Sequence, residues 1–155
     1  MQTHLKKIET ASAPKAIGPY SQAVQAGSYL FVSGQIPINP HTGKIITGTI
    51  EEQTTQVLDN IKAILQEAGL TLEHVVKTEV YLKDIQDFSA MNTIYAAYFT
   101  YAIKPARQAM QVAQLPMDVR VEISAIAFVV LAIPLVSEKP EGITSRGTDE
   151  YSNGK

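Results

Sequence analysis

The chain has 155 residues, of which 45% are apolar and 18% charged, with no cysteine and a formal net charge of −2. That length suits one domain with a substantial core, and the missing cysteines exclude disulfides, thiolate nucleophiles and cysteine-held metals. No basic run exceeds Lys6-Lys7, so the footprint of a phosphate-backbone binder is absent and nucleic acid is not an expected partner.

In chain order, a short strand is predicted near Leu5 to Glu9. Ser21 to Ala26 and Tyr29 to Gly34 then flank Gly27-Ser28, a two-residue loop led by glycine that signals a type II′ hairpin. Pro40-His41-Thr42-Gly43 reads as a turn, and Thr49-Ile-Glu-Glu52 as a capping box opening a helix. Ile50, Val57, Leu58, Ile61, Ile64, Leu65 and Ala68 recur at three- and four-residue steps to form its buried stripe, and Gly69 is placed to close it. Val75 to Leu82 alternates as a half-buried strand, with Val76, Thr78, Val80 and Leu82 on one face and Val75, Lys77, Glu79 and Tyr81 on the other. Asp84 or Asp87 can cap a second helix, lined by Phe88, Met91, Tyr95, Tyr98 and Phe99, that Pro105 forbids from continuing. A final hairpin is expected, with Arg107 to Ala113 turning through Leu115-Pro-Met-Asp118 into Val119 to Val130. The odd positions of that last strand are apolar, which puts Glu122 on the other face with Arg120 and Ser124.

The resulting order, β-β-β-α-β-α-β-β, predicts an α+β domain over residues 1–130, a mixed sheet with both helices on one side. Val75, Tyr81, Ile126 and Phe128 would then form an apolar patch on the uncovered face, which calls for self-association. Residues 131–155, rich in Ser, Gly, Pro, Thr and charge, read as a flexible C-terminal tail. The closest approach to a membrane helix, Ala125 to Val136, is broken by Pro134 and falls short of the roughly 18 apolar residues required. The N-terminus lacks the features of a secretory or transit signal, so a cytoplasmic location without membrane attachment is expected.

Arg107 and Glu122 are the candidate chemistry. Arginine presents a planar fork of donors that fits a carboxylate bidentately, and glutamate can orient water or move a proton. On paired strands the two would frame a small anionic substrate, although a strand Arg facing a strand Glu is also the pattern of a solvated ion pair. His4, His41 and His74 share no metal-binding spacing, and no phosphate cradle, nucleotide fingerprint or Ser-His-Asp order is present, so neither metal nor cofactor is expected.

Gly18-Pro19-Tyr20-Ser21-Gln22-Ala23-Val24, Ser33-Gly34-Gln35-Ile36-Pro37, Pro105-Ala106-Arg107, Leu115-Pro116 and Val121-Glu122-Ile123 occur in that order, with Gln56, Asn60, Gly69, Asp84, Asn92 and Phe99 between them. From about Ala13 to Ala127 the chain resembles the RidA family of reactive-intermediate deaminases. The resemblance implies a chorismate-mutase-like fold, a homotrimer around a central barrel with active sites between subunits, and cofactor-free hydrolysis of 2-iminobutanoate and 2-iminopropanoate to 2-keto acids and ammonia. It assigns the substrate carboxylate to Arg107, the attacking water to Glu122, a ligand-reaching hydroxyl to Tyr20 and a pocket edge to Ser33 and Gly34. Asn92 reads as a structural hydrogen-bonder. Many relatives carry cysteine where this chain has Ala109, which leaves backbone there to line the substrate and puts thiol-dependent behaviour in doubt. The alternative readings are an endoribonuclease or translation inhibitor, and a non-catalytic trimer that binds a keto acid or acts as a chaperone.

Overall fold

A computed structural model of the chain describes residues 5–129; the predicted C-terminal tail lies outside them. Six strands form one sheet: β1 (Leu5–Ile8), β2 (Ala23–Ala26), β3 (Tyr29–Gln35), β4 (Val75–Leu82), β5 (Ala106–Gln111) and β6 (Val121–Phe128). Helices α1 (Ile50–Glu67) and α2 (Phe88–Tyr98) pack on a single face. The α+β class, the element order and the one-sided helices are therefore as the sequence predicts.

Local signals act as expected. Gly27 takes φ 59° while Ser28 keeps a negative φ, which is the type II′ requirement. At the start of α1 the Glu52 N–H donates to the Thr49 hydroxyl at 3.3 Å, and the Thr49 N–H donates to the Glu52 carboxylate at 2.7 Å. Gly69, at φ 73°, ends the helix, and the Leu70 N–H turns back to the Leu65 carbonyl at 2.9 Å. Val57, Leu58, Ile61, Ile64 and Leu65 are fully buried against the sheet, each contributing about 1.5–3 kcal/mol. Polar residues on α1 tie it to the loops: Asn60 donates to the Ile36 and Ile38 carbonyls, and Gln53 donates to Ile46 while accepting from the Arg120 N–H.

The strand order is β1-β2-β3-β6-β4-β5, with β4 and β5 parallel and every other pair antiparallel. This corrects the predicted final hairpin: β5 and β6 do not pair, because β6 inserts between β3 and β4. The choice follows from burial. Val121, Ile123, Ala125 and Ala127 are all buried and need neighbours on both sides, whereas β5 is exposed along most of its length and suits an edge.

Two further corrections concern faces. Val75 pairs with Ala127 but Lys77 with Ile126, so β4 carries a bulge. The extra residue turns Val75 into the core and leaves Val76 43% exposed, reversing their predicted sides. The uncovered apolar patch thus consists of Val76, Phe128, Tyr29 and Phe31, with Tyr81 and Ile126 half-buried. Arg120 precedes β6 and does not join Glu122; its guanidinium grips Asp87 at the start of α2 through two hydrogen bonds. The last strand starts at Val121 because Leu115–Val119 form two overlapping turns, the Asp118 N–H donating to the Leu115 carbonyl and the Val119 N–H to that of Pro116, in which Met117 and Asp118 have φ 55° and 57°. Left-handed backbone costs about 1–2 kcal/mol per non-glycine residue. A 2.7 Å ion pair from Lys83 to Asp118 helps to hold it.

Candidate active site

Arg107 sits on edge strand β5, opposite Thr78 of β4. Thr78 faces the helices, its hydroxyl 2.7 Å from that of Tyr95, and Arg107 shares this face. The guanidinium carbon lies 4.5 Å from the Tyr95 ring centre and 5.5 Å from that of Phe88, and Nη1 donates to Asn92 Oδ1 at 2.8 Å. Cation–π stacking and one fixed hydrogen bond orient the fork while leaving its other donors open. Arg107 lines a cleft of about 490 Å³ with Asn92, Tyr95, Phe99, Lys104 and Pro105. Ala109, two residues on and on the same face, packs half-buried against the core edge. Asn92 is thus a hydrogen-bond partner of Arg107 and a wall of the same cleft. Phe88 and Tyr95 were legible only as helix-stripe apolars; their spacing from Asn92, four and three residues, was the available sign that all three share one helical face.

Glu122 lies on the opposite face of the sheet, across from Tyr81. Tyr81 donates to Glu79, which also accepts from Lys77, Gln108 and Ser124. Hydrogen bonding from Lys77 holds the Glu79 carboxyl below its ordinary value, so this charge is already satisfied. Glu122 differs: burial pushes its carboxyl above the ordinary 4.5. Its side chain folds over Gly34, where a Cβ would stand 2.0 Å from Oε1. Only glycine permits that approach.

Ser33 and Gly34 occupy the irregular stretch between Val32 and Gln35 where β3 shifts register against β6. Ser33 spends its hydroxyl proton on the Ser21 carbonyl at 2.6 Å. Tyr20, 53% exposed, receives the Ile17 N–H on its hydroxyl oxygen at 3.3 Å, which leaves the hydroxyl proton available to a ligand. Tyr20 and Gly34 border a second cleft of about 300 Å³.

The predicted site residues therefore fall into two groups: Arg107 with Ala109, and Glu122 with Gly34, Ser33 and Tyr20. The expectation that Arg107 and Glu122 lie on paired strands is corrected. They flank β4 on opposite sides, their partners Thr78 and Tyr81 three residues apart, and they point to opposite faces. That places the backbones roughly 10 Å apart along the strands and roughly 10 Å across them. The two clefts share no lining residue. Among the described residues no three His, Cys, Asp or Glu side chains group as a metal site, and no helix is long and apolar enough to cross a membrane.

A mixed six-stranded sheet with two helices on one face, an oriented arginine on the helical side and a half-buried carboxyl on the other defines an α+β domain with a divided polar site. The family described as Endoribonuclease L-PSP matches residues 10–129. A RutC family protein of Pyrococcus horikoshii is 59% identical over 121 residues, 78% of this chain and 95% of the relative. The 2-iminobutanoate/2-iminopropanoate deaminase of Escherichia coli K12 is 49% identical over 124 residues, covering 79% and 96%. The crystal structure of Escherichia coli TdcF with bound serine superposes with a TM-score of 0.76 at 46% identity, covering 79% of this chain and 98% of that one. The chain belongs to the L-PSP endoribonuclease family, the RidA family that the sequence motifs resemble.

Proposed function

We propose that the protein hydrolyses 2-imino acids, with 2-iminobutanoate and 2-iminopropanoate as substrates, to 2-keto acids and ammonia, in a cleft that a second copy of the chain completes within a homotrimer. One observation carries the reading. Arg107 has an oriented fork with free donors, Glu122 has a desolvated carboxyl, and a single chain holds them on opposite faces, so they are complementary halves that meet only between copies. The exposed Tyr29, Phe31, Val76 and Phe128 supply an apolar surface for that contact. The deaminase named among the relatives, and the relative holding serine, a small molecule with an α-carboxylate, support the substrate class.

In this reading Arg107 binds the substrate carboxylate, worth about 1.5–3 kcal/mol as charged hydrogen bonds. Water adds to the protonated imine carbon while the Glu122 carboxylate takes its proton. The resulting carbinolamine collapses as Glu122 returns that proton to the nitrogen and the carbon–nitrogen bond breaks; the hydroxyl proton passes to the regenerated Glu122 carboxylate and on to the departing ammonia, leaving the keto acid and an ammonium ion. Tyr20 donates its hydroxyl to the ligand, Gly34 sets the position of Glu122, and Ser33 and the backbone at Ala109 form the edges.

The test couples a threonine dehydratase to the protein and times keto-acid release. Arg107→Ala and Glu122→Gln should each lose activity about a hundredfold or more, and co-refolding them 1:1 should restore roughly a quarter of wild-type activity, because in a head-to-tail ring that share of sites receives both intact halves. Inactive mixed oligomers would refute the shared site. Wild-type binding of 2-ketobutyrate without faster imine hydrolysis would refute the enzyme.

A further inference from the structure

Resting on the proposed imine-hydrolysing site, we infer that Thr78 is a positioning residue for substrate binding: its buried hydroxyl anchors the Tyr95 ring as the platform that aims Arg107 at the substrate carboxylate. Three contacts close a triangle. Thr78 and Arg107 are direct neighbours on the parallel strands β4 and β5, about 4.8 Å apart, and their side chains share the helical face. The Thr78 hydroxyl lies 2.7 Å from that of Tyr95, and the Tyr95 ring centre lies 4.5 Å from the Arg107 guanidinium carbon. One helical turn earlier, Asn92 holds Nη1 of the same guanidinium. Helix α2 thus touches Arg107 twice, and any slip of the helix against β4 and β5 shifts both contacts together.

Thr78 is the brace against that slip. Among the described residues its bond to Tyr95 is the one side-chain hydrogen bond between α2 and a strand, apart from that of Arg107 itself; Tyr98, one turn on, spends its hydroxyl on Asp59 of α1. Thr78 and Tyr95 are 1% and 6% exposed, so neither hydroxyl has water to turn to if the other is removed. A phenol left without a partner is drawn toward the open cleft that Tyr95 borders with Arg107, and the ring leaves its place beneath the guanidinium. Phe99 stacks on Tyr95 with ring centres 4.4 Å apart, but it fills the space beside the ring without offering the phenol a partner. Burial lifts the Tyr95 phenol above its ordinary value, so the ring meets the guanidinium uncharged and leaves the positive charge of Arg107 to the substrate.

The test compares Thr78→Val, which keeps the side chain's shape and removes the hydroxyl, with Thr78→Ser, Tyr95→Phe and the Thr78→Val/Tyr95→Phe double variant. The carboxylate contact is made in ground and transition states alike. Thr78→Val should therefore raise KM for the 2-aminobutyrate-derived imine about tenfold, the effect of one weakened charged hydrogen bond, while kcat changes less than about threefold. Thr78→Ser should recover most of the loss, and the Kd of 2-ketobutyrate by isothermal calorimetry should follow KM. Tyr95→Phe should raise KM likewise, and the double variant, which leaves no hydroxyl unpaired, should raise it no further; these two decide the question if Thr78→Val does not fold. The chain has three arginines, Arg107, Arg120 and Arg146, so their side-chain Nε–Hε signals can be assigned by NMR. The upfield shift that the Tyr95 ring imposes on Arg107 should shrink in Thr78→Val and return in Thr78→Ser. An unchanged KM, Kd and Arg107 signal in Thr78→Val, a loss confined to kcat, or full additivity in the double variant would overturn the inference while leaving deamination intact. Absence of imine turnover in wild type would refute the deaminase reading, and the Kd of 2-ketobutyrate with the Arg107 signal would still decide what Thr78 does.

Discussion

Replacing Gly34 by alanine tests whether Glu122 performs the chemistry from the position seen here. The new Cβ would lie 2.0 Å from Oε1, 2.9 Å from Cδ and 3.1 Å from Cγ of Glu122, whereas ordinary contact begins at 3.4 Å. The obstacle is the far end of a flexible side chain, so the carboxylate swings aside by about 1.4 Å, at an off-rotamer cost of about 0.5–1.5 kcal/mol. Stability should therefore fall little, whereas a displacement of about 1 Å at a reacting group is worth about a hundredfold in rate. In the dehydratase-coupled assay Gly34→Ala should lose about a hundredfold in kcat with a thermal midpoint within a few degrees of wild type. Glu122→Gln should lose about a hundred- to ten-thousandfold. Because Gly34 acts through Glu122, adding Gly34→Ala to Glu122→Gln should cost nothing further. Near wild-type kcat in Gly34→Ala, or full additivity in the double variant, would refute the argument.

Arg107→Lys should keep the charge but lose the fork and the stacking on Tyr95, lowering kcat/KM by about 10- to 100-fold, chiefly through KM, as steady-state kinetics with the 2-aminobutyrate-derived imine would show. Burial raises the Glu122 carboxyl above 4.5, so the acid limb of kcat/KM should lie at higher pH than an ordinary carboxylate gives and disappear from the residual activity of Glu122→Gln. Stability runs the other way. The native chain holds this proton more firmly than the unfolded one, so the contribution is complete below 4.5 and is lost as pH rises through the folded value, a slope that denaturant titrations should find absent in Glu122→Gln. Thr49→Ala removes the acceptor for the Glu52 N–H and should cost about 1 kcal/mol by urea unfolding without altering kcat.

Elements governed by neighbours in sequence were legible. The capping box at Thr49, the glycine stop at Gly69, the Gly27 turn and the apolar period of α1 each depend on residues within about four positions, where backbone hydrogen bonds decide conformation locally. The motif residues were likewise readable as residues: Arg107, Glu122, Tyr20, Ser33 and Gly34 could be singled out from type and order alone. Their grouping could not. Whether β6 pairs with β5 or slides between β3 and β4 is a competition among distant segments for buried neighbours, and chain order favoured the hairpin while apolar content favoured the centre. The β4 bulge, worth one residue, was invisible to strict alternation, yet it moved Val75 inward and Val76 outward.

The amino-acid sequence by itself thus determined which segments become helix and strand and which side chains carry charge, because those properties are set by short-range sterics and periodicity. Only the tertiary structure decided that the arginine and the glutamate of one chain look away from each other. Strand order and facing are settled by how the whole apolar surface is buried at once, and no local run of residues contains that information.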